Sequence, residues 1–527
     1  MAREHGAAMN PWRETTAWLL LGGAALVYFV SDLPFDFELG DEGVALMGAW
    51  RLTQGQVPHR DFFEIIPPVS FLPTAGAFAL LGANLFVSRL LVLLYAILLP
   101  LAVERLLRRM EVGAPARMAA VLWLVPFGAT FWPMPSHHWV VDLLQLAALE
   151  RLLAGAEGKS AAAPGLLAGL ASGLACFTLQ DQGAYLLAGL TALFFPWLPD
   201  RRRAARLFGW WALGGTAAAA LVLGWLLSAG ASPAELWRQW VVFPMGHYRS
   251  ISENRGGLGL GWEVYGEKGI GEAFRSHPIY LTTLAACQGL LSAAPLLLAG
   301  LAVSFWKNRG QRARVGLLAA AGLAFYATCA HRWATLNLVW ALPAGVAAAA
   351  WLVHGGLGAE RRWVRRTAAG TLAVASLAVG LFTLDNLYTL VAERSYTVRG
   401  PGGALRTLDP MEAASLQETL NAIEREVPRG EPLFCYGYVP LVNFLALRPS
   451  PTRYQFFLYP VYHTYDQYQE VLASLERRSK AYILLPMPLM PENAFHAWTK
   501  QNCRRLWGSP RMALYVREPE GGDRGRP

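Results

Sequence analysis

Asp41 and Glu42 stand side by side at the head of the stretch DEGVALMGAWRLTQGQVPHRDFFEIIPP, residues 41–68, and Asp61 and Glu64 lie near its end. Paired carboxylates in an apolar setting suit proton transfer, because an acid shielded by apolar walls takes a proton from a hydroxyl more readily than one in bulk water. The plainer reading is an acidic cap: a carboxylate at the first turn of a helix is favoured by the unpaired N–H groups and by the dipole. The spacing predicts an amphipathic helix over 43–54 that lies on a membrane surface. Ala45, Leu46, Ala49 and Leu52 fall on one side, Arg51 and Gln54 on the other.

Four other clusters carry chemistry-bearing side chains. In SHHW, 136–139, His137 and His138 would need a third ligand such as Asp41 or Glu42 to hold a divalent metal; hydrogen bonding or interfacial packing is the alternative. In LQDQG, 179–183, Gln180, Asp181 and Gln182 suit sugar hydroxyls or, more simply, the polarity of a span boundary. In HRW, 331–333, Arg332 stands between His331 and Trp333, either as an anion contact or as an interfacial arginine beside a belt tryptophan. The loop 230–278 mixes Trp237, Trp240, Phe243, His247, Tyr248 and Arg249 with Lys268, a composition for an interfacial helix or a lid. A Tyr-rich run at 454–468 either binds a glycan or packs.

These clusters must be positioned by a membrane protein. The chain of 527 residues is 54% hydrophobic and 16% charged, with a mean hydropathy of +0.29, too apolar for a soluble enzyme of this size. The net charge of +9 resides in short basic clusters between apolar runs, which argues against nucleic acid as a partner. The first apolar run leads into Asp32-Leu33-Pro34 rather than a small-residue cleavage site and reads as a retained span. Apolar runs at 16–32, 86–106, 117–133, 138–153, 162–178, 183–198, 206–229, 279–303, 314–330, 334–353 and 367–385 predict about eleven transmembrane helices in an all-α polytopic domain, 1–385. Leaving the Pro-rich segment 66–84 on the outer surface puts every dense basic cluster, from Arg105 to Arg366, on one side, the cytoplasmic one. Asp41, within a first outer loop at 31–85, then shares the outer face with the other four clusters. An odd number of spans places 386–527 outside as well. There, strands at 432–439, 481–486 and 512–518 alternate with helices at 411–426, 465–478 and 492–505, an α/β domain. Cys435 and Cys503 show no metal-ligand spacing; free thiols and a disulfide between them both remain open. GGLGLG, 256–261, is a loop signal and no phosphate-cradling motif.

The order of these features resembles a known group. A first span is followed by an acidic pair, then G-x-V-P-x-R-D-F-F-E, two prolines, a stretch closing in F-x-L-L-G, and Arg89-Leu90-Leu91 opening the next span. Over 16–110 this is similar to the polyprenyl-phosphate-sugar-dependent glycosyltransferases of the GT-C superfamily, and in particular to bacterial protein O-mannosyltransferases and aminoarabinose transferases. The resemblance implies the GT-C fold. It implies a sugar donor on a polyprenyl phosphate, used at the outer face of the plasma membrane with inversion, and a glycolipid, cell-envelope glycan or protein as acceptor. It places the presumed catalytic carboxylate at Asp41, with Glu42 beside it.

A lipid phosphate as leaving group calls for positive charge. Arg332 is the first candidate, and Arg89 the second unless it only anchors its span. Members of the aminoarabinose group often carry a basic residue immediately before the two prolines. This chain has Ile66 there, which brings Lys268 into consideration. Two rivals stand beside a transferase: a transporter or flippase of lipid-linked glycans, and a catalytically silent assembly subunit. A transporter needs polar or broken helices in both halves of the membrane, whereas the polar clusters here favour the outer side.

Overall fold

The computed structural model describes residues 11–35, 37–129, 134–158, 160–197, 200–248, 314–319, 322, 342–352, 362–487 and 493–518. Lys268, His331, Arg332, the GGLGLG loop and the expected span 279–303 lie outside the described residues. The helical part runs through α1 (Pro11–Asp32), α2 (Asp41–Thr53), α3 (Leu72–Leu81), α4 (Leu85–Arg109), α5 (Ala114–Ala129), α6 (His137–Glu157), α7 (Ala162–Cys176), α8 (Gln180–Trp197), α9 (Arg201–Ser228), α10 (Pro233–Trp237), α11 (Leu342–Trp351) and α12 (Arg362–Ala392). Among the described residues three helices, Glu14–Asp32, Leu85–Arg109 and Arg201–Ser228, are long and apolar enough to cross a membrane, and Ala114–Val125 and Ala162–Cys176 are shorter apolar helices. Segment 66–84 forms a short 3-10 turn, Pro68–Ser70, and the ten-residue α3. Three prolines and the stop at Gly82 keep it short.

Local sequence sets the ends of these helices. Asn84 caps α4 by accepting from the Phe86 N–H at 2.8 Å, and Asp200 caps α9 by accepting from Arg202 and Arg203. Small residues set the closest contact in the bundle. Gly165, Gly169 and Gly173 recur every fourth residue on α7 and face Gly214, Gly215 and Ala218 of α9. A Cβ on Gly169 would come within 1.9 Å of the Trp211 carbonyl oxygen, so only glycine lets these two backbones approach.

One end of the bundle is basic and self-paired. Arg105, Arg109 and Arg151 surround the buried Glu150, Arg117 bridges Glu14 and Glu104, and Arg314 bridges Glu111 and Glu157. The starts of α4, α6 and α8, and the ends of α1, α7 and α9, lie at the opposite end, together with everything that follows α12.

That following part contains a hairpin of β1 (Tyr396–Gly400) and β2 (Gly403–Thr407), then α13 (Pro410–Glu426), β3 (Leu433–Cys435), α14 (Pro440–Ala446), α15 (Tyr465–Glu476), β4 (Ala481–Pro486), α16 (Ala494–Asn502), β5 (Arg504–Gly508) and β6 (Met512–Arg517). The four-stranded sheet has the order β3-β4-β6-β5, parallel between β3 and β4 and antiparallel elsewhere. The hairpin sits on the bundle: the Leu85 N–H at the start of α4 donates to the Gly402 carbonyl at 2.8 Å, and Arg406 N–H donates to the Pro34 carbonyl at 2.8 Å. Strand 432–439 is shorter than expected because Gly437, at φ +99°, breaks it. Helix 492–505 gives way after Asn502 to an edge strand with exposed Arg504 and Arg505. Cys435 and Cys503 are free thiols.

Candidate functional site

Asp41 opens α2 and is exposed, while Glu42 beside it is fully buried. The helix is not an amphipathic rod lying on lipid, contrary to the pattern of 43–54. Val44, Leu46, Met47, Ala49 and also Arg51 are buried, because α3 covers one side of α2 and α14 the other. A Cβ on Gly43 would lie 2.1 Å from the Leu441 backbone nitrogen, so glycine in the acidic triplet is what lets α14 reach the helix. Arg51, assigned by periodicity to the polar side, instead donates to the Thr452 and Arg453 carbonyls at 2.8 and 3.3 Å. Local periodicity could not register a partner four hundred residues away.

The carboxylate pair has two different fates. The Glu42 carboxylate receives Nη2 of Arg89, at 2.9 Å from Oε1 and 3.0 Å from Oε2, in a pair shielded from water. Arg89 is 3% exposed, and this contact makes it a counter-charge for the acidic pair rather than an open cation. Asp41 accepts a hydrogen bond from the Tyr438 hydroxyl, supplied by the turn before α14. Burial and the Asp41 charge push the Tyr438 phenol well above its ordinary range, so it remains a donor. Glu38 accepts from the Gly40 and Glu42 N–H groups, and burial together with Asp41 raises its carboxyl above the usual range.

A second acid was not singled out from the sequence. Glu64, in RDFFEIIPP, is 6% exposed. Its Oε1 accepts from the Ile65 and Ile66 N–H groups at 2.9 and 3.1 Å, and Oε2 accepts from Gln455 Nε2 at 2.9 Å. Burial dominates and lifts the carboxyl to about 7, with the charge of Asp41 adding to the rise. Upstream, His59 takes a positive φ of 67°. It accepts from Trp240 Nε1 through Nε2 at 3.0 Å and contacts Gln239 Oε1 through Nδ1 at 2.9 Å. That arrangement leaves the ring proton on Nδ1, and burial holds the histidine neutral down to about 4. Gln239 Oε1 also accepts the Glu64 N–H at 2.9 Å, and Gln239 Nε2 donates to Glu235 at 2.6 Å. Arg453 donates to the same Glu235 oxygen at 2.6 Å. Burial pushes Glu235 up, but Arg238, Gln239 and Arg453 outweigh it and hold the acid at about 2. The loop 56–66, the segment after α9 and the C-terminal domain are thereby locked together.

The remaining sequence candidates fall as follows. Gln180 Nε2 donates to the Ile65 carbonyl at 3.0 Å, joining α8 to the loop beside Glu64. Asp181 accepts from the Gln182 N–H at 2.7 Å. Gln182 turns inward and donates to Asp142 at 2.8 Å within the bundle. His137 and His138 begin α6 with ring centroids 4.3 Å apart. Among the described residues no three His, Cys, Asp or Glu side chains gather as a metal site, so no third ligand joins the two histidines there. Asp41, Glu42, Arg89, Glu64 and Gln180 thus share one end of the bundle, under the C-terminal domain. The long-range partners Tyr438, Arg453 and Gln455 left no local trace in the sequence. The one usable signal was the recurrence of Tyr and Phe between 454 and 468.

Comparison with solved structures identifies the scaffold. ArnT from Cupriavidus metallidurans in the apo state matches over 95% of this chain and 98% of its own length, with a TM-score of 0.61 at 15% identity. The fold is that of the GT-C glycosyltransferases. The same ArnT bound to undecaprenyl phosphate matches over the same shares, with a TM-score of 0.61 at 16% identity. The Archaeoglobus fulgidus oligosaccharyltransferase, in complex with zinc and sulfate, matches over 89% of this chain and 68% of its own, with a TM-score of 0.48 at 15% identity. No protein-family model and no curated protein matches the sequence. In this GT-C fold, the acidic residues at the start of α2 and the C-terminal domain meet at one end of the helical bundle.

Proposed function

We propose that this protein is a membrane glycosyltransferase that moves a sugar from a polyprenyl-phosphate donor to an acceptor hydroxyl on the outer face of the plasma membrane, with inversion. The observation that carries the reading is the whole-length GT-C match combined with an exposed Asp41 at the meeting point of bundle and C-terminal domain. The acceptor oxygen attacks the anomeric carbon as its proton passes to the Asp41 carboxylate. The bond from that carbon to the phosphate oxygen breaks, and the polyprenyl phosphate departs with the electron pair. The Tyr438 hydroxyl orients Asp41, and the Glu42–Arg89 pair fixes the first turn of α2 beneath it. Arg332, with His331, is assigned to the leaving phosphate, and Lys268 stands as the second cation for that task. The basic end of the bundle faces the cytoplasm by the positive-inside rule, which puts the 386–527 unit outside, where it helps to position the acceptor.

The test is Asp41→Asn in membrane vesicles supplied with a labelled polyprenyl-phosphate sugar. Transfer to the endogenous acceptor should fall at least about a hundredfold, the contribution of a positioned general base, with expression and elution profile unchanged. A variant that keeps parental turnover would remove Asp41 from the chemistry.

A further inference from the structure

Between the loop carrying Glu64 and the Tyr-rich segment of the C-terminal domain lies a small open recess, lined by Phe63, Glu64, Ile65, Gln455, Tyr462 and His463, with Tyr454 and Phe456 completing its wall. Its floor is polar. Gln455 is 3% exposed and spends its Nε2 on Glu64, while its Oε1 is buried with no hydrogen-bond partner among the described residues. An orphaned buried acceptor is destabilising, and a donor entering the recess would relieve it. His463 Nδ1 accepts from the Leu458 N–H at 3.1 Å, which leaves the ring proton on Nε2. The Glu64 carboxyl, whose Oε2 accepts from Gln455, completes the floor. A hydroxyl, with one donor and two acceptor sites, matches such a floor.

The rim is aromatic. Phe456 and Tyr462 are partly exposed and pack edge to face with ring centroids 4.8 Å apart, and exposed Val461 and Tyr465 extend the same surface. Phe456 also meets the Tyr438 ring at 4.6 Å, and Tyr438 holds Asp41. The recess is therefore one aromatic contact from the carboxylate assigned as base. Apolar rings beside a polar notch wide enough for one hydroxyl or hydroxymethyl group form a surface for a sugar ring, whose faces are apolar and whose edge carries hydroxyls.

We propose that this recess is a saccharide subsite, which holds one hydroxyl or hydroxymethyl group of a sugar on the acceptor while Phe456 and Tyr462 cover the ring. The inference rests on the transferase reading for the word acceptor, though sugar binding itself does not. Saturation-transfer difference NMR on the full-length protein in detergent, with the methyl glycosides of glucose, galactose and N-acetylglucosamine as probes, tests it. At least one should receive saturation, strongest at the protons flanking a single hydroxyl or hydroxymethyl group. Gln455→Met, which keeps the volume and removes the acceptor, should weaken binding about five- to tenfold. Tyr462→Ala, at the rim, should weaken it as well, with folding checked by an unchanged elution profile. Asp41→Asn should bind the same glycoside like the parent, so loss of catalysis and loss of the subsite are read separately. If none of the three glycosides receives saturation from folded protein, or both Gln455→Met and Tyr462→Ala bind like the parent, the recess holds water only and the proposal falls.

Discussion

Removing Arg89 should cost this protein more stability than almost any other single charge deletion at the site end. The Arg89 guanidinium lies 2.9 Å from Glu42 Oε1, and the two side chains are 4% and 0% exposed. At that distance two unit charges attract by about 6 kcal/mol with an effective dielectric constant of about 20. Much of that attraction only offsets the dehydration of the two ions. Deleting one partner removes the attraction and keeps the other ion's dehydration cost, so Arg89→Met should destabilise by about 3–5 kcal/mol. Glu42→Gln should do the same from the other side. The double variant Glu42→Gln/Arg89→Met should lose less than the sum of the two, because neither leaves a lone buried charge behind. Unfolding in detergent–SDS mixed micelles, followed by tryptophan fluorescence, measures all four forms. If Arg89→Met lies within about 0.5 kcal/mol of the parent, as a surface substitution would, or if the two single losses simply add, Glu42 and Arg89 are not a buried pair and the account of the α2 start is wrong.

Glu64 sets a pH dependence. Its carboxyl ionises near 7 in the folded chain against 4.5 ordinarily, so the unfolded chain gives up its proton first. The contribution of Glu64 is complete below about pH 4.5 and is lost as pH rises to about 7, a change of about 3 kcal/mol. Glu64→Gln removes that slope, and parallel stability curves for parent and variant between those pH values would refute the assignment. Glu235→Ala releases Arg453, Arg238 and Gln239 together. Hydrogen exchange at 57–66 and 450–456 should then speed up about tenfold or more, whereas unchanged protection in both segments would show that the three-way lock carries no weight.

The parts legible in the sequence were those written in nearby residues. The helix starting at Asp41, the short helix within 66–84, and the strands expected at 481–486 and 512–518 follow from hydrophobic period, proline and caps. The hairpin β1–β2 was overlooked although Pro401-Gly402 between two short alternating runs marks it. Helix α14, PLVNFLA, is buried on every side, so it has no polar stripe to announce it. Arg51 falls on the polar side of its helical period and Arg89 among the candidate phosphate contacts, because a sequence displays charge but not the distant group that neutralises it. Glu64 was passed over for the same reason: its burial depends on Gln455, which carries no local sign of the contact.

The hydrogen bond from Tyr438 to Asp41 joins residues 397 positions apart. A ribosome delivers the acid early and the tyrosine late, so for most of translation the carboxylate is without the hydroxyl that it accepts from in the folded chain. On the proposed reading of Asp41 as base, catalytic competence arrives only when the last domain has folded back over the first loop, and a chain stalled before Tyr438 is inert.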